Sequence, residues 1–334
     1  MVRSLPKLTI IIPCYKEEES IPVLVEKLIP PLEAATEGSW RVLFVDDGST
    51  DSTPQLIWDL NKKDPRFQAI RFTRNFGHQP AVATGIRHAE GECIAVIDCD
   101  LQDPVDVLIA MYQKVATGDF DVCSGIRGKR EDTPWWLRIS YKAFYRLMRS
   151  MAEHNYTLDS GDFSVFNRKA HLALLSLPET LWVPRGLRSW IGLRQTSITY
   201  LRPPRLHGHS KYNISRLIQL AVSNITSFST APLRLATWIG LRMGVLTLLA
   251  GGFFLVNRLF PNLFPFGYSI REGTGTATVV LYGSLIASMI FFCLGIMGEY
   301  LAVVVKEVKR RPIALVMEKT PELNFSPDRQ EDCT

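Results

Sequence analysis

Cysteine is scarce in this chain, and it is not arranged for chemistry. The six residues (Cys14, Cys93, Cys99, Cys123, Cys293 and Cys333) contain no C-x-x-C pair and no zinc-type spacing. That excludes a zinc ribbon or a dithiol redox centre and suits thiols kept reduced in a cytosolic compartment. A glycine-rich phosphate loop is also missing, so neither a kinase-type nor a hydride-transfer site is indicated. Excess charge is small: 38 Lys and Arg against 33 Asp and Glu give +5. So mild a balance does not call for nucleic acid, and the basic residues cluster beside apolar spans, as at a membrane surface. There is no internal repeat and no low-complexity tract. The opening MVRSLPKLTIII has a short apolar run followed by the polar KEEES, which reads as a first strand and not as a signal peptide.

What is present begins with an alternation of strand-like and helix-like stretches. Leu8–Ile12, Arg41–Val45, Gln68–Phe72 and Cys93–Ile97 are short, β-branched and largely apolar, as strands buried on both faces should be. Between them, Ser20–Ala35, Ser52–Lys62 and Gln79–Ala89 carry helical spacing. Repeated strand–helix–strand units predict an α/β fold with a mostly parallel, Rossmann-like sheet. Ligands of such sheets bind beyond the carboxyl ends of the strands. PCYKEEE, DDGSTD, TRNFGH and DCDLQD each follow a strand and are therefore expected to converge on one site.

A less regular region, Asp119–Leu206, mixes tryptophans with arginines and is expected to form the acceptor side of the cleft. His209–Pro232 is amphipathic, with Ile214, Leu217, Ile218, Ala221, Val222 and Ile225 on one helical face, and predicts a helix lying at a membrane interface. Two apolar spans follow. Ala277–Gly298 runs 22 residues without a charge, and Ala236–Val256 contains only Arg242, read as reaching back to the interface. KEVKRRP (Lys306–Pro312) and Arg234 put positive charge outside the spans on one side. The positive-inside bias predicts cytosolic termini, although Arg258 and Arg271 in the linker oppose it weakly. The expected division is a catalytic domain over 1–206, a juxtamembrane segment over 207–233, two transmembrane helices over 234–305 and a cytosolic tail over 306–334, loosely ordered after Ala314. Gly283 with Ala287 in the second span would allow close approach of another helix.

The strongest local chemistry is DCDLQD, Asp98–Asp103. Two carboxylates one residue apart and the amide of Gln102 offer hard oxygen ligands, as a divalent cation shared with a diphosphate requires. In DDGSTDST, Ser52 or Asp51 is placed to cap a helix, and Asp46 and Asp47 stand at a strand end where a base or ribose hydroxyl could be gripped. In PCYKEEES, Pro13 should end pairing, Tyr15 can lie against a base and Glu17 should begin the next helix.

The order IIIPCYKEEESI, FVDDGSTDST, RNFGHQPAVATGI, AVIDCDLQDP, SGIR, GDFSVFNR, RLHGHSKY and TSFSTAPLR resembles family 2 glycosyltransferases over about Leu8–Pro312. The nearest branch is dolichol-phosphate-mannose synthases and bacterial polyprenyl-phosphate (bactoprenol) glucosyltransferases. The resemblance implies a GT-A fold, an inverting mechanism, Mg²⁺ or Mn²⁺, a nucleotide-sugar donor, a polyprenyl-phosphate acceptor and a homo-oligomer, with a tetramer among the options. It implies a multi-pass protein of the inner or plasma membrane with its catalytic domain in the cytosol. By motif, Pro13, Tyr15, Glu17 and Asp47 line the nucleotide pocket; Asp98 faces ribose or metal; Asp100 and Gln102 ligate the metal. Arg127 meets the acceptor phosphate, with Arg138 and Ser140 matching an acceptor helix less tightly. Arg205 and Lys211 lie near diphosphate and acceptor, and Asp162 orients acceptor or sugar. Cys99 stands where the family often has alanine or valine, and its side chain should point away from the metal.

A phosphate monoester is already an anionic nucleophile at neutral pH, so no strong general base is needed. The sequence agrees: between Asp98 and Asp162 the only histidine is His154. Glucose from UDP-glucose is the favoured donor, with GDP-mannose, UDP-N-acetylhexosamine and UDP-amino-arabinose as alternatives. A processive polysaccharide synthase would need more spans and a Q-x-x-R-W motif, which RSW at Arg188–Trp190 does not supply. An inactive membrane scaffold is disfavoured by the intact Asp98, Asp100 and Gln102.

Overall fold

The computed structural model describes residues 5–128, 160–178, 182–201, 231–260 and 275–325. The chain divides into two compact units, one holding the sheet and residues from Arg310 onward, the other holding Tyr212–Lys309 with Arg146–Glu153. Arg138, Ser140, His154, Arg205, Lys211, the amphipathic segment and the linker after the first apolar helix lie outside the described residues.

The first unit is built on strands β1 (Leu8–Cys14), β2 (Trp40–Asp46), β3 (Phe67–Phe72), β4 (Cys93–Val96), β5 (Val122–Arg127), β6 (Ser160–Asn167), β7 (Gln195–Tyr200) and β8 (Val316–Lys319). They form one sheet in the order β7-β5-β6-β4-β1-β2-β3-β8. The centre is parallel (β4, β1, β2 and β3), β7 runs parallel to β5, and β6 is inserted antiparallel between β4 and β5. This is the mostly parallel, Rossmann-like sheet expected of a GT-A fold. Every residue of β1, LTIIIPC, is buried, because helices cover both faces.

Helices α1 (Ser20–Thr36), α2 (Thr53–Lys63), α3 (His78–His88) and α4 (Val105–Ala116) connect these strands, and α5 (Arg168–Leu175) and α6 (Pro184–Trp190) follow β6. The apolar stripe Ile21, Leu24, Val25, Leu28 and Leu32 of α1 is buried, so period and burial agree. Helix α3 lies unusually close to the sheet. A Cβ on Gly85 would come within 2.3 Å of the Ile11 side chain, so only glycine permits that approach.

Three local expectations are corrected. Pairing does not stop at Pro13: its ladder with β2 runs on to Cys14 opposite Asp46, although the ladder with β4 ends at Ile11. Proline is tolerated there because its missing N–H is not needed by β4. Glu17 does not begin α1; its carbonyl accepts from Ser20 and Ile21 in the turn before the helix. The chain after Ala314 is ordered through Phe325. β8 pairs antiparallel with β3, Arg71 meets Glu318 at 3.1 Å, and Thr320 is fully buried. This strand covers what would otherwise be an open sheet edge. For α2, Ser52 makes no side-chain cap; Asp51 accepts from the Thr53 amide and hydroxyl instead.

The far side of the sheet is tied by Asp121, which accepts from Arg194 (Nε, 3.2 Å) and from Asn167. The hydrogen bond from Arg194 is the largest cause of a carboxyl pKa lowered to about 2. A depressed carboxyl pKa stabilises the fold above its unfolded value and loses that contribution as pH falls through the folded one. Asp121→Asn is therefore expected to cost about 1 kcal/mol at pH 7, a value discounted because Arg194 is 60% exposed. The difference should shrink between about pH 4 and pH 2. Urea melts across that range check it; a constant gap would refute the linkage.

The second unit contains two long apolar helices, α7 (Ala231–Leu259) and α8 (Gly275–Val308). Their apolar windows, Ala236–Phe253 and Tyr282–Val308, are 6% and 0% buried, which is unlike the core helices of a soluble domain. Trp238, Leu248, Phe253 and Phe291 all point outward, while Cys293 Sγ lies 3.9 Å from the Ala236 carbonyl where the two helices touch.

Candidate active site

The loops after β1, β2, β3 and β4 gather at the carboxyl ends of the parallel strands, as the strand order requires. Asp47 binds them together. Its two oxygens accept from the backbone N–H of Phe76 (2.6 Å) and Gly77 (2.9 Å), and its own amide donates to Cys14. Gly48 turns with φ +70°, and a Cβ there would lie 2.4 Å from the Arg74 carbonyl carbon. Asp46 is fully buried, accepts from the Ser49 amide and faces Arg71 at 3.4 Å. Asp46 and Asp47 therefore hold loops in place. Pro13 lies buried in β1, and Tyr15 is 42% exposed at the strand's end. The Glu17 amide donates to Thr53 Oγ1, joining the first and second loops.

In DCDLQD, Leu101 adopts a left-handed φ of 59°, uncommon for a branched residue and a local strain of the kind found at functional loops. The turn brings the Gln102 amide onto Asp100 Oδ1 at 3.2 Å. Asp103 is an anchor: it accepts from Tyr200 O–H at 2.6 Å and from the Asp98 amide at 3.3 Å. Cys99 points into the hydrophobic core, as expected.

Around Asp98 the structure assembles charges from four elements. His78 Nε2, at the start of α3, lies 3.7 Å from Asp98 and 3.2 Å from Asp162 on β6. Arg127, at the end of β5, is 3.9 Å from Asp98. Gln79 donates to Asp162 at 2.6 Å. Arg188 on α6 is buried and donates to the carbonyls of Gly161 and Asp162. Burial, the main cause, pushes the Asp98 carboxyl up to about 6; His78 opposes it, and Asp103, Asp100 and Asp162 add to it. Burial would raise Asp162 too, but the His78 hydrogen bond and the Arg185, His78 and Arg188 charges hold it far below the carboxylate range. Burial likewise works against a charged His78, yet its two carboxylate neighbours raise its pKa.

Among the described residues no group of three His, Cys, Asp or Glu is close enough to hold a metal. Asp98, Asp100 and Gln102 together offer two carboxylates and one amide oxygen on a single turn. That donor set fits an ion whose remaining positions are filled by phosphate oxygens and water, and it does not make a closed protein cage.

His78, Gln79, Tyr200 and Arg188 were not singled out by the sequence. GHQ follows a strand and so carried a positional signal. Tyr200 and Arg188 lie in Asp119–Leu206, which was assigned to the cleft only as a region.

Acidic and basic side chains converge at the carboxyl edge of an α/β sheet, where ligands of such sheets bind. Residues 9–175 match the family model for Glycosyl transferase family 2, and the chain belongs to that family. It is 33% identical over 312 residues to the SfII prophage-derived bactoprenol glucosyl transferase of Shigella flexneri, covering 92% of this chain and 96% of that one. A prophage bactoprenol glucosyl transferase homolog of Escherichia coli K12 is 31% identical, covering 92% and 97%. The uncharacterized glycosyltransferase YkcC of Bacillus subtilis is 33% identical, covering 93% of each chain.

Proposed function

We propose that this chain transfers a hexose, in first place glucose from UDP-glucose, to undecaprenyl phosphate or a related polyprenyl phosphate at the cytosolic membrane face. The observation that carries this reading is Arg127 set 3.9 Å from Asp98, a cation beside an acidic diphosphate-type loop. Two anions must meet in this reaction, and each needs its own compensating charge. The relatives named bactoprenol glucosyl transferase support the lipid acceptor and the sugar. The outward-facing apolar helices α7 and α8 support a two-span anchor between the catalytic domain of 1–206, its juxtamembrane segment of 207–233 and the tail. Gly283 and Ala287, four residues apart, would allow close contact with a second copy in a homo-oligomer.

In this reading Tyr15 lies against the base, and Pro13, Glu17 and Asp47 shape the pocket for the nucleotide. Asp98, Asp100 and Gln102 would hold Mg²⁺ or Mn²⁺, which would neutralise charge on the leaving diphosphate. Arg127 holds the acceptor phosphate, with Arg205 and Lys211 supplying further positive charge near both phosphates. An oxygen of the acceptor phosphate attacks the anomeric carbon as the bond to the nucleotide diphosphate breaks, inverting the centre. The nucleophile brings its own negative charge, so no side chain has to remove a proton.

The test uses sealed inside-out membrane vesicles containing the full chain and undecaprenyl phosphate. A panel of labelled nucleotide-sugars is added outside. Labelled lipid from UDP-glucose is the expected result. Label from another donor changes the sugar. Label that forms only after detergent opens the vesicles overturns the membrane face. No labelled lipid under any condition overturns the reaction.

A further inference from the structure

Two buried oxygen atoms beside the acidic loop have no hydrogen-bond donor: Asp162 Oδ1 and Gln79 Oε1. They belong to one small constellation. Asp162, with 10% of its side chain exposed, uses only Oδ2 toward the protein, taking His78 Nε2 at 3.2 Å and Gln79 Nε2 at 2.6 Å. Its backbone is fixed from behind by Arg188, which donates to the Asp162 carbonyl at 3.1 Å and the Gly161 carbonyl at 2.7 Å. The orientation of the Gln79 amide is not arbitrary. A carboxylate accepts only, so the NH₂ group must face Asp162, which leaves the carbonyl oxygen as the free end.

Leaving a buried acceptor without a donor is unfavourable, and here there are two, on side chains joined by a hydrogen bond. Such a pair is matched by a ligand presenting O–H groups. Its place in the fold says which ligand. Through His78 it adjoins Asp98, the first carboxylate of the D-x-D turn, at 3.7 Å. If that turn receives the diphosphate, as the proposed function holds, the next group along the donor is its sugar ring.

We propose that Asp162 Oδ1 and Gln79 Oε1 accept hydrogen bonds from hydroxyls of the donor sugar, and that Gln79 sets the choice of donor. Asp162 orients the ring as an anion; Gln79 reads a second hydroxyl and at the same time holds Asp162 in place. A site built to accept from a hydroxyl discriminates strongly against an analogue lacking it, because its buried oxygens are then left unpaired.

The experiment is a binding comparison on the full detergent-solubilised chain. UDP-glucose, its single-deoxy analogues and free UDP are titrated against the natural chain and Gln79→Met, which keeps length and removes the amide. In the natural chain, at least one deoxy analogue is expected to bind at least tenfold more weakly than UDP-glucose. Gln79→Met should weaken UDP-glucose at least tenfold and free UDP less than twofold, and should erase the penalty of that deoxy analogue. The deoxy series on the natural chain needs no variant, so it answers even where Gln79→Met folds poorly. Equal binding of all deoxy analogues, or equal loss of UDP and UDP-glucose in a folded variant, overturns the proposal. Because no arm contains lipid, sugar discrimination without transfer to polyprenyl phosphate would overturn the acceptor reading and leave this one standing. No binding of any nucleotide-sugar overturns both.

Discussion

Asp100→Ala is expected to lower sugar transfer at least a thousandfold while the protein stays folded, a loss of about 4 kcal/mol in transition-state stabilisation. Asp100 is partly exposed on its turn, and its backbone-directed contact, with the Gln102 amide, is local. The fold should therefore tolerate its loss. Its carboxylate stands in DCDLQD, where acids and an amide oxygen directly follow a buried parallel strand. Hard oxygen ligands of that kind would position a divalent ion against a diphosphate. Two readouts check the role. Transfer is measured across a Mg²⁺ and Mn²⁺ titration, and Mn²⁺ binding is followed by electron paramagnetic resonance with UDP present. The variant should lose UDP-dependent Mn²⁺ binding together with activity. Full activity in EDTA would remove the metal from the mechanism altogether.

Arg127→Ala is expected to reduce turnover with polyprenyl phosphate a hundredfold or more, with donor affinity changed far less. Removing one partner of a desolvated charge pair costs about 2–5 kcal/mol, and each 1.4 kcal/mol is about a decade in rate. Arg127 is 40% exposed, so the lower half of that range applies, about 3 kcal/mol or two decades. Burial works against its charge, but the Tyr200 hydroxyl, Asp103 and Asp98 favour it, so the guanidinium remains a cation. Asp98 stands 3.9 Å away, too far for a tight ion pair. Donor binding by calorimetry and transfer at varied lipid concentration separate the two sides of the cleft. A variant that loses donor binding but keeps normal acceptor kinetics would place Arg127 on the nucleotide side instead.

The parallel centre of the first unit was legible from pattern, and the elements after β4 were not. Strands at Leu8, Arg41, Gln68 and Cys93 were each found within two residues at the start, because a strand buried on both faces must be a short, continuous apolar run. The helices after the first three were equally clear, since a one-sided burial leaves a 3.6-residue stripe; α4 was not read. The ends were harder. Pro13 reads as a stop, yet whether a missing N–H matters depends on which neighbour the strand still pairs with at that point. The tail after Ala314 has no strong period, and VMEK becomes a strand only because β3 offers an open edge.

Local pattern carried the alternation of strands and helices through β4, the loops that had to meet at the carboxyl edge, the acidic turn at Asp98–Asp103 and the two apolar helices. These follow from local spacing and from which residue types tolerate burial. Only the tertiary structure decided what those groups face. It gave Asp46 and Asp47 to loop anchoring, set His78 between Asp98 and Asp162, drew Tyr200 onto Asp103 across 97 residues and left one oxygen each on Asp162 and Gln79 without a donor. The physical reason is range. Burial period is written in neighbours along the chain, whereas electrostatic and hydrogen-bond partners are chosen by proximity in space, which chain order does not record.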